Sequence, residues 1–501
     1  MKKLVTTFSI LCLFVTATSQ AAKKPNILVF LVDDMGLMDT SVPFLTDDDG
    51  KPKAYPLNKI YKTPNMEKLA SNGMRFETFY ANSVCSPTRI SIMTGQSSAR
   101  HHTTQWIRSE NNNRGAQGPP NWQWKGITKN HQTLPGLLQK DGYQTIYVGK
   151  AHFGPFKAYG EFPNNFGFDV NIGGCSYGQP GSYYGKDGFG WIKGNKRRAV
   201  PDLEKYHGKD IYLTDALTLE MNAAIKDSVE KDKPFFAYMA YYAVHAPFMP
   251  NNKYSPNYAE ADIPKKARDY ATMIQSMDTS VGKIMAHLDT LGVADNTLVL
   301  FLGDNGGDAP LGGTHTIASS APLRGKKATH YEGGMRVPFI AMWAKANAAN
   351  PFQKKLPIKP DAITTEMGTI HDIFPTLLET AGVSYKGKID GKNLGPILRG
   401  EKIDGKRDFL MHFPHGHRSS YFTVYRLGDW KLIYHYTKAK DERYELFNLA
   451  KDQTEAKNLA QSNPDELTRM VKAMSAALED AGAQYPVAKK DPETKLKPIL
   501  P

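Results

Sequence analysis

The chain has 501 residues, of which 41% are hydrophobic, 23% charged and 11% aromatic; this excludes a disordered or fibrous protein and supplies ample core for two domains. The formal charge of +13 favours anionic partners such as sulfated polysaccharide, nucleic acid or an acidic surface. Its basic residues are scattered (Lys196 and Arg198, Lys265 and Arg268, Lys326-Lys327, Lys489-Lys490) rather than gathered in one run with aromatics, which disfavours nucleic acid.

Lys2 and Lys3, an apolar run over 4–15 and the small residues of Ser19-Gln20-Ala21 read as a signal peptide spanning 1–21. A periplasmic or secreted product cut near Ala21 or Ala22 is expected, with a lipoprotein anchor at Cys12 as the lesser alternative. The run is too short to span a bilayer, and no later segment is long and apolar enough, so no membrane span is expected. After the signal only Cys85 and Cys175 remain, too few for a disulfide scaffold, and no structural disulfide is expected.

Asn26-Ile27-Leu28-Val29-Phe30-Leu31-Val32 is a continuous run rich in branched residues, as in a parallel strand covered on both faces. Similar runs at 145–148, 235–240, 297–302 and 338–343 alternate with helical patterns at 213–229 and 267–291. An α/β fold is expected: a large catalytic domain over 22–404, with a mainly parallel mixed sheet sandwiched by helices. Ligands in that class collect beyond the carboxyl ends of the strands. There stand Asp33-Asp34, Gly149-Lys150-Ala151-His152, Tyr242-Ala243-Val244-His245 and Gly303-Asp304-Asn305. Each alone has an ordinary explanation as a turn, a cap or a solvated loop; their shared placement is less ordinary.

Residues 156–207, rich in Gly, Tyr and Asn, read as a long irregular excursion over the active face, and the region of His101-His102, Trp106, Arg108 and Trp122 has the same character. Substrate selection is expected in such loops. A helical pattern at 370–381 closes at Gly382, and the polar stretch 400–407 holds the domain boundary. Beyond it, 405–501 read as a smaller α+β domain with an antiparallel sheet and one helix. Two strands within 422–434 meet at a Gly428-Asp429 turn, and Asn463-Pro464-Asp465 opens a helix with Leu467, Met470, Val471, Met474 and Leu478 on one face.

Pro87 suits the first turn of a helix, which puts Cys85 at or just before the helix start, where the dipole and free amides favour an anion. The ordinary reading is a small buried thiol. Asp33, Asp34, Asp304 and Asn305 offer the oxygen ligands that a hard ion such as calcium or magnesium takes.

Cys85-Ser86-Pro87-Thr88-Arg89 followed by Thr94-Gly95 resembles the signature of the type I sulfatases, the arylsulfatase-like, formylglycine-dependent enzymes of the alkaline-phosphatase superfamily. Five motifs fall in family order between Asp33 and Glu332, and the likeness continues through Leu427-Gly428-Asp429-Trp430-Lys431 and Glu445-Leu446-Phe447-Asn448-Leu449. The resemblance implies a hydrolase in which a formylglycine-generating maturation enzyme oxidises Cys85 to formylglycine (3-oxoalanine). It implies one calcium ion, with magnesium the second choice, held by Asp33, Asp34, Asp304, Asn305 and an oxygen of the modified Cys85. It also implies roles: the hydrated aldehyde attacks sulfur with Asp304 as base, and His245 or Lys327 protonates the departing alcohol. His152 then deprotonates the second hydroxyl to release sulfate, while Arg89 steadies the aldehyde and metal and Lys150 bridges nucleophile and sulfate. The family's spacing of its lysine before Glu332-Gly333-Gly334 selects Lys327 over Lys326.

The expected activity is sulfuric ester hydrolysis on a sulfated carbohydrate, a polysaccharide or glycosaminoglycan fragment. The alternatives are a phosphomonoesterase or phosphonate hydrolase of the same superfamily, and a noncatalytic binder of sulfated glycans in which Cys85 stays a thiol. His412, His415, His417 and Arg418, with His101, His102 and Arg108, are candidates for contacting the sugar; a solvated loop is the equal-weight reading of the histidine cluster.

Overall fold

Seven consecutive buried residues make β1 (Asn26–Val32) a strand that needs cover on both faces. The cover is present in the computed structural model, which describes residues 24–403 and 407–501, Arg197 by its backbone alone. The signal peptide read over 1–21 lies outside the described residues. Leu28, Phe30 and Val32 pack under the helices Leu213–Glu230 and Lys265–Thr290, whereas Ile27, Val29 and Leu31 pack under Cys85–Thr94, Leu134–Lys140 and Ile373–Ala381. Strand alternation thus feeds two separate cores, and each large apolar side chain contributes about 1.5–3 kcal/mol of burial.

The remaining strands of this layer are β2 (Met74–Phe76), β3 (Phe79–Tyr80), β4 (Gln144–Gly149), β5 (Val170–Ile172), β6 (Phe235–Ala240), β7 (Thr297–Gly303), β8 (Phe339–Trp343), β9 (Ala362–Thr364) and β10 (Gly368–Thr369). Seven of them join β1 in one mixed sheet in the order β5-β4-β6-β1-β7-β8-β2-β9, and β3 pairs with β10 separately. The strands β4, β6, β1 and β7 run parallel, and β8 is antiparallel to β7 and β2. All four parallel strands therefore end on one side, and the polar segments after them converge there.

The second sheet is antiparallel: β11 (Asp408–Phe413), β12 (Phe422–Leu427), β13 (Trp430–His435) and β14 (Tyr444–Asn448) lie in chain order. Leu427 pairs with Trp430, so Gly428-Asp429 is a two-residue hairpin turn, and Gly428 takes the positive φ (60°) of its first position. The helix Pro464–Asp480 lays Leu467, Met470, Val471, Met474 and Leu478 on this sheet. The other face docks Phe409, Met411, Phe413, Phe422 and Val424 against Tyr80, Val84, Ala328, Tyr331 and Met335, next to the start of the Cys85 helix. Inside this seam Lys431, fully enclosed, lies 2.9 Å from Glu332 Oε1 and 2.6 Å from Glu455 Oε1.

Candidate active site

The helix Cys85–Thr94 begins at Cys85 itself, and all ten of its residues are buried. Ile90, Ile92 and Met93 fix it to the sheet, so its first turn is held at the carboxyl edge of the strands. Cys85 Sγ lies 3.2 Å from His152 Nδ1. The other ring nitrogen, Nε2, is 2.6 Å from the Ile107 carbonyl, which can only accept; Nε2 therefore carries the proton and Nδ1 turns a lone pair toward residue 85. Burial, reinforced by Lys150, holds His152 far below its ordinary pKa, so it is a neutral base. His152 has φ of +59°, a costly conformation for a side-chain-bearing residue, kept by its N–H bond to the Cys175 carbonyl.

Asp33, Asp34 and Asp304 bring carboxylate oxygens within 4.8 Å of one another, all buried. Arg89 Nε donates to Asp304 Oδ2 at 3.0 Å, and Lys150 Nζ sits 2.7 Å from both oxygens of Asp33. Lys327 Nζ pairs with Asp34 Oδ2 at 2.7 Å, and His245 Nε2 lies 3.5 Å from the same atom. Burial pushes Asp33 and Asp304 up to about 6, each raised further by a carboxylate neighbour. Burial also opposes the charge of Asp34, but His245, in the low-pH range where it is protonated, together with Lys327 and Lys150 outweighs it and holds that carboxyl well below the usual range. His245, pushed down to about 3 by burial, gives Nδ1–H to the Ala246 carbonyl.

Asn305 tests whether these groups suit a metal. Its Nδ2 donates to Asp34 Oδ1 and the Gly306 carbonyl, both at 2.9 Å, leaving a buried Oδ1 with no protein partner. An orphaned amide oxygen beside three carboxylates is the donor set of a hard divalent cation. The residues fit the group.

The proposed substrate contacts divide. His412 lies on β11, with Nδ1 2.7 Å from Thr423 Oγ1 and Nε2 2.7 Å from the Gln484 carbonyl; His415 is held by Thr104 Oγ1 at 2.7 Å and the Arg114 carbonyl at 3.0 Å. His101 is buried against Ser91 Oγ and the Thr103 N–H, and His102 Nε2 meets the Gly482 carbonyl. The expectation of sugar contact is corrected for His101, His412 and His415, whose two ring nitrogens are both taken up by the fold, whereas His102 commits only Nε2. His417 and Arg418 do reach the rim. Arg418 pairs with Asp308 at 2.6 Å and contacts the Lys327 carbonyl, and the His417 ring lies 6.4 Å from that of Trp106. Arg108 is exposed, one residue after the carbonyl that orients His152.

Other site residues escaped the reading. A Cβ at Gly178 would stand 2.7 Å from His152 Cε1, so the Gly-rich excursion closes directly on the imidazole. Ser86 Oγ accepts the Ile107 N–H at 3.0 Å, tying the Cys85 helix to the segment that orients His152. Asp308 and Lys326 complete the rim with a 3.4 Å pair. In the sequence Lys326 stands only as the rival of Lys327, and Gly178, Ser86 and Asp308 give no local signal.

The sulfatase family profile matches residues 25–383, which carry the whole constellation. This chain belongs to the sulfatase family. A second profile, the C-terminal region of N-sulphoglucosamine sulphohydrolase, matches 326–484. The sulfatase is 30% identical over 530 residues to a sulfatase of Formosa agariphila, covering 92% of this chain and 90% of that protein. It is 30% identical over 405 residues to the N-acetylgalactosamine-6-sulfatase of Mus musculus, covering 77% and 68%. Among solved structures, Ps i-CgsB bound to k-i-k-neocarrahexaose superposes with a TM-score of 0.71 at 24% identity over 95% of each chain, a likeness of fold. The sulfatase is therefore a sulfuric ester hydrolase of the alkaline-phosphatase superfamily. Among its described residues no helix is long and apolar enough to cross a membrane.

Proposed function

We propose that this sulfatase removes sulfate from a sulfated carbohydrate, using formylglycine at position 85 and one calcium ion. The observation that carries the reading is the burial together of Cys85, the lone pair of His152 and the Asp33–Asp34–Asp304–Asn305 donor set, with Cys85 close enough to Asp33, Arg89 and Lys327 to act on their charges. The N-acetylgalactosamine-6-sulfatase relative supports a sugar substrate by its name. Export through the N-terminal signal and oxidation of Cys85 by a maturation enzyme belong to the same proposal.

Asp33, Asp34, Asp304 and Asn305 would hold the ion, whose chemistry is Lewis-acid stabilisation of negative charge on oxygen. Oxidised and hydrated, residue 85 offers hydroxyls in place of a thiol. His152 Nδ1 is placed to take a proton from one of them, and its fixed Nε2 bond keeps the lone pair aimed. Lys150 and Lys327 bracket the pocket as fixed cations; Arg89 locks Asp304 and, through the Lys150 carbonyl at 2.6 Å, the strand end that carries Lys150. Three carboxylates face the three cations Arg89, Lys150 and Lys327, so a divalent ion leaves an excess of positive charge suited to a sulfate ester. Lys327 holds its proton firmly: burial opposes its charge, but Asp34 and its neighbours raise its pKa. It is the charged donor beside the leaving oxygen, since His245 is neutral with its one N–H engaged.

The test is turnover of a panel of defined sulfated oligosaccharides, run beside the sulfate and phosphate esters of one chromogenic phenol. Release of sulfate from at least one sugar, with the aryl sulfate cleaved faster than the aryl phosphate, supports the reading. Faster phosphate cleavage, or no oligosaccharide turned over by formylglycine-loaded enzyme, contradicts it.

A further inference from the structure

A second cluster lies at the domain seam and shares no residue with the sulfate pocket. His330 stands on the loop three residues after Lys327, His435 ends β13, and Glu445 lies on β14. One ligand atom from each falls within a 4.8 Å triangle. His435 Nε2 is 2.7 Å from Glu445 Oε1, and His330 Nε2 is 3.6 Å from the same oxygen. His330 is only 6% exposed, yet neither of its ring nitrogens has a hydrogen-bond partner. A buried imidazole with both nitrogens unsatisfied, one of them facing a carboxylate and a second imidazole, requires an explanation beyond packing.

We propose that His330, His435 and Glu445 form a binding site for a borderline divalent cation, zinc by preference, which clamps the Lys327 loop to the C-terminal sheet. Two imidazoles and one carboxylate suit zinc and are poor ligands for calcium, the reverse of the all-oxygen set in the sulfate pocket. Around a tetrahedral zinc, ligand atoms stand about 3.3 Å apart, so the 3.6 Å pair already fits and the 2.7 Å pair needs to open by about 0.6 Å. Tyr331 O–H donates to Glu445 Oε2 at 3.0 Å, an orienting bond of the kind that ligating carboxylates receive. The neighbouring cation Lys431 is already engaged by Glu332 and Glu455.

The experiment uses the full-length enzyme saturated with calcium, exchanged into dilute zinc and desalted, with bound metals counted by plasma mass spectrometry and affinity measured by titration calorimetry. One zinc per chain in addition to calcium is expected. In Glu445→Gln and His330→Ala zinc should be lost or bound at least tenfold more weakly, whereas Asp304→Asn should keep it. Cobalt in place of zinc should give the visible absorption of a tetrahedral site in the wild type and not in Glu445→Gln. Circular dichroism establishes folding; should His330→Ala not fold, the nearly isosteric Glu445→Gln carries the comparison. No zinc in the wild type, equal zinc in Glu445→Gln, or loss of zinc in Asp304→Asn overturns the proposal.

Discussion

Replacing Lys431 by methionine removes the ammonium from between two buried carboxylates, Glu332 and Glu455, while keeping most of the side-chain volume. Breaking a buried pair in this way leaves charge uncompensated and costs about 3–5 kcal/mol. Glu332 keeps Tyr80 O–H at 2.8 Å and Arg336 at 3.6 Å, so the larger share falls on Glu455. Burial already lifts Glu455 to about 7 from 4.5, against the pull of Lys431. A folded-state pKa above the unfolded value means that the native state binds the extra proton, so this group's stability is present below 4.5 and fades as pH rises through 7. Without Lys431 that folded value climbs further; the loss should be small near about pH 5, grow by about 1.4 kcal/mol for each pH unit above 7, and reach about 2–3 kcal/mol near about pH 9. Urea unfolding followed by tryptophan fluorescence at the two pH values measures it. Adding Glu455→Gln, which removes the orphaned charge and can donate to Glu332, should restore about 2 kcal/mol at the higher pH. A loss equal at both pH values, or a double variant no more stable than the single one, would refute the electrostatic account of this seam.

His152→Ala should lower kcat by about 10²–10⁴-fold on an aryl sulfate with KM changed far less, as steady-state kinetics would show. Gly178→Val should also depress kcat, because its Cβ meets His152 Cε1 at 2.7 Å; a crystal structure of the variant should show the imidazole displaced. Chelation of the enzyme should abolish turnover and lower the melting temperature, and added calcium should reverse both, by differential scanning calorimetry and rate. Arg418→Ala should raise KM for the true oligosaccharide and spare the aryl sulfate. His415→Ala, which orphans Thr104 and the Arg114 carbonyl, should instead lower stability and affect both substrates alike.

The central sheet was legible because burial on both faces writes itself as uninterrupted apolar runs: β1, β6, β7 and β8 lie where such runs stand. The helix Pro464–Asp480 was equally clear, since its five buried residues repeat with helical spacing. The short β2, β5 and β9, of three residues each, carry too little pattern to separate from loop. The strand β11 is the instructive miss. Phe409-Leu410-Met411-His412-Phe413 is an apolar run broken by one histidine, and reading His412 as a rim ligand hid a strand buried on both faces. Which polar side chains the fold satisfies internally depends on partners far along the chain: Thr104 for His415, Gln484 for His412. Local sequence does not carry that information, whereas the placement of Asp33, Lys150, His152, His245 and Asp304 after strands follows from where the runs end.

The most direct measurement is the mass of the tryptic peptide spanning residues 76–89, taken from active enzyme purified from its native host. Oxidation of Cys85 to formylglycine replaces a thiol-bearing carbon by an aldehyde and lowers that mass by roughly 18 Da, and the converted fraction should scale with specific activity across preparations. Full activity from protein whose Cys85 is wholly unmodified would contradict the account.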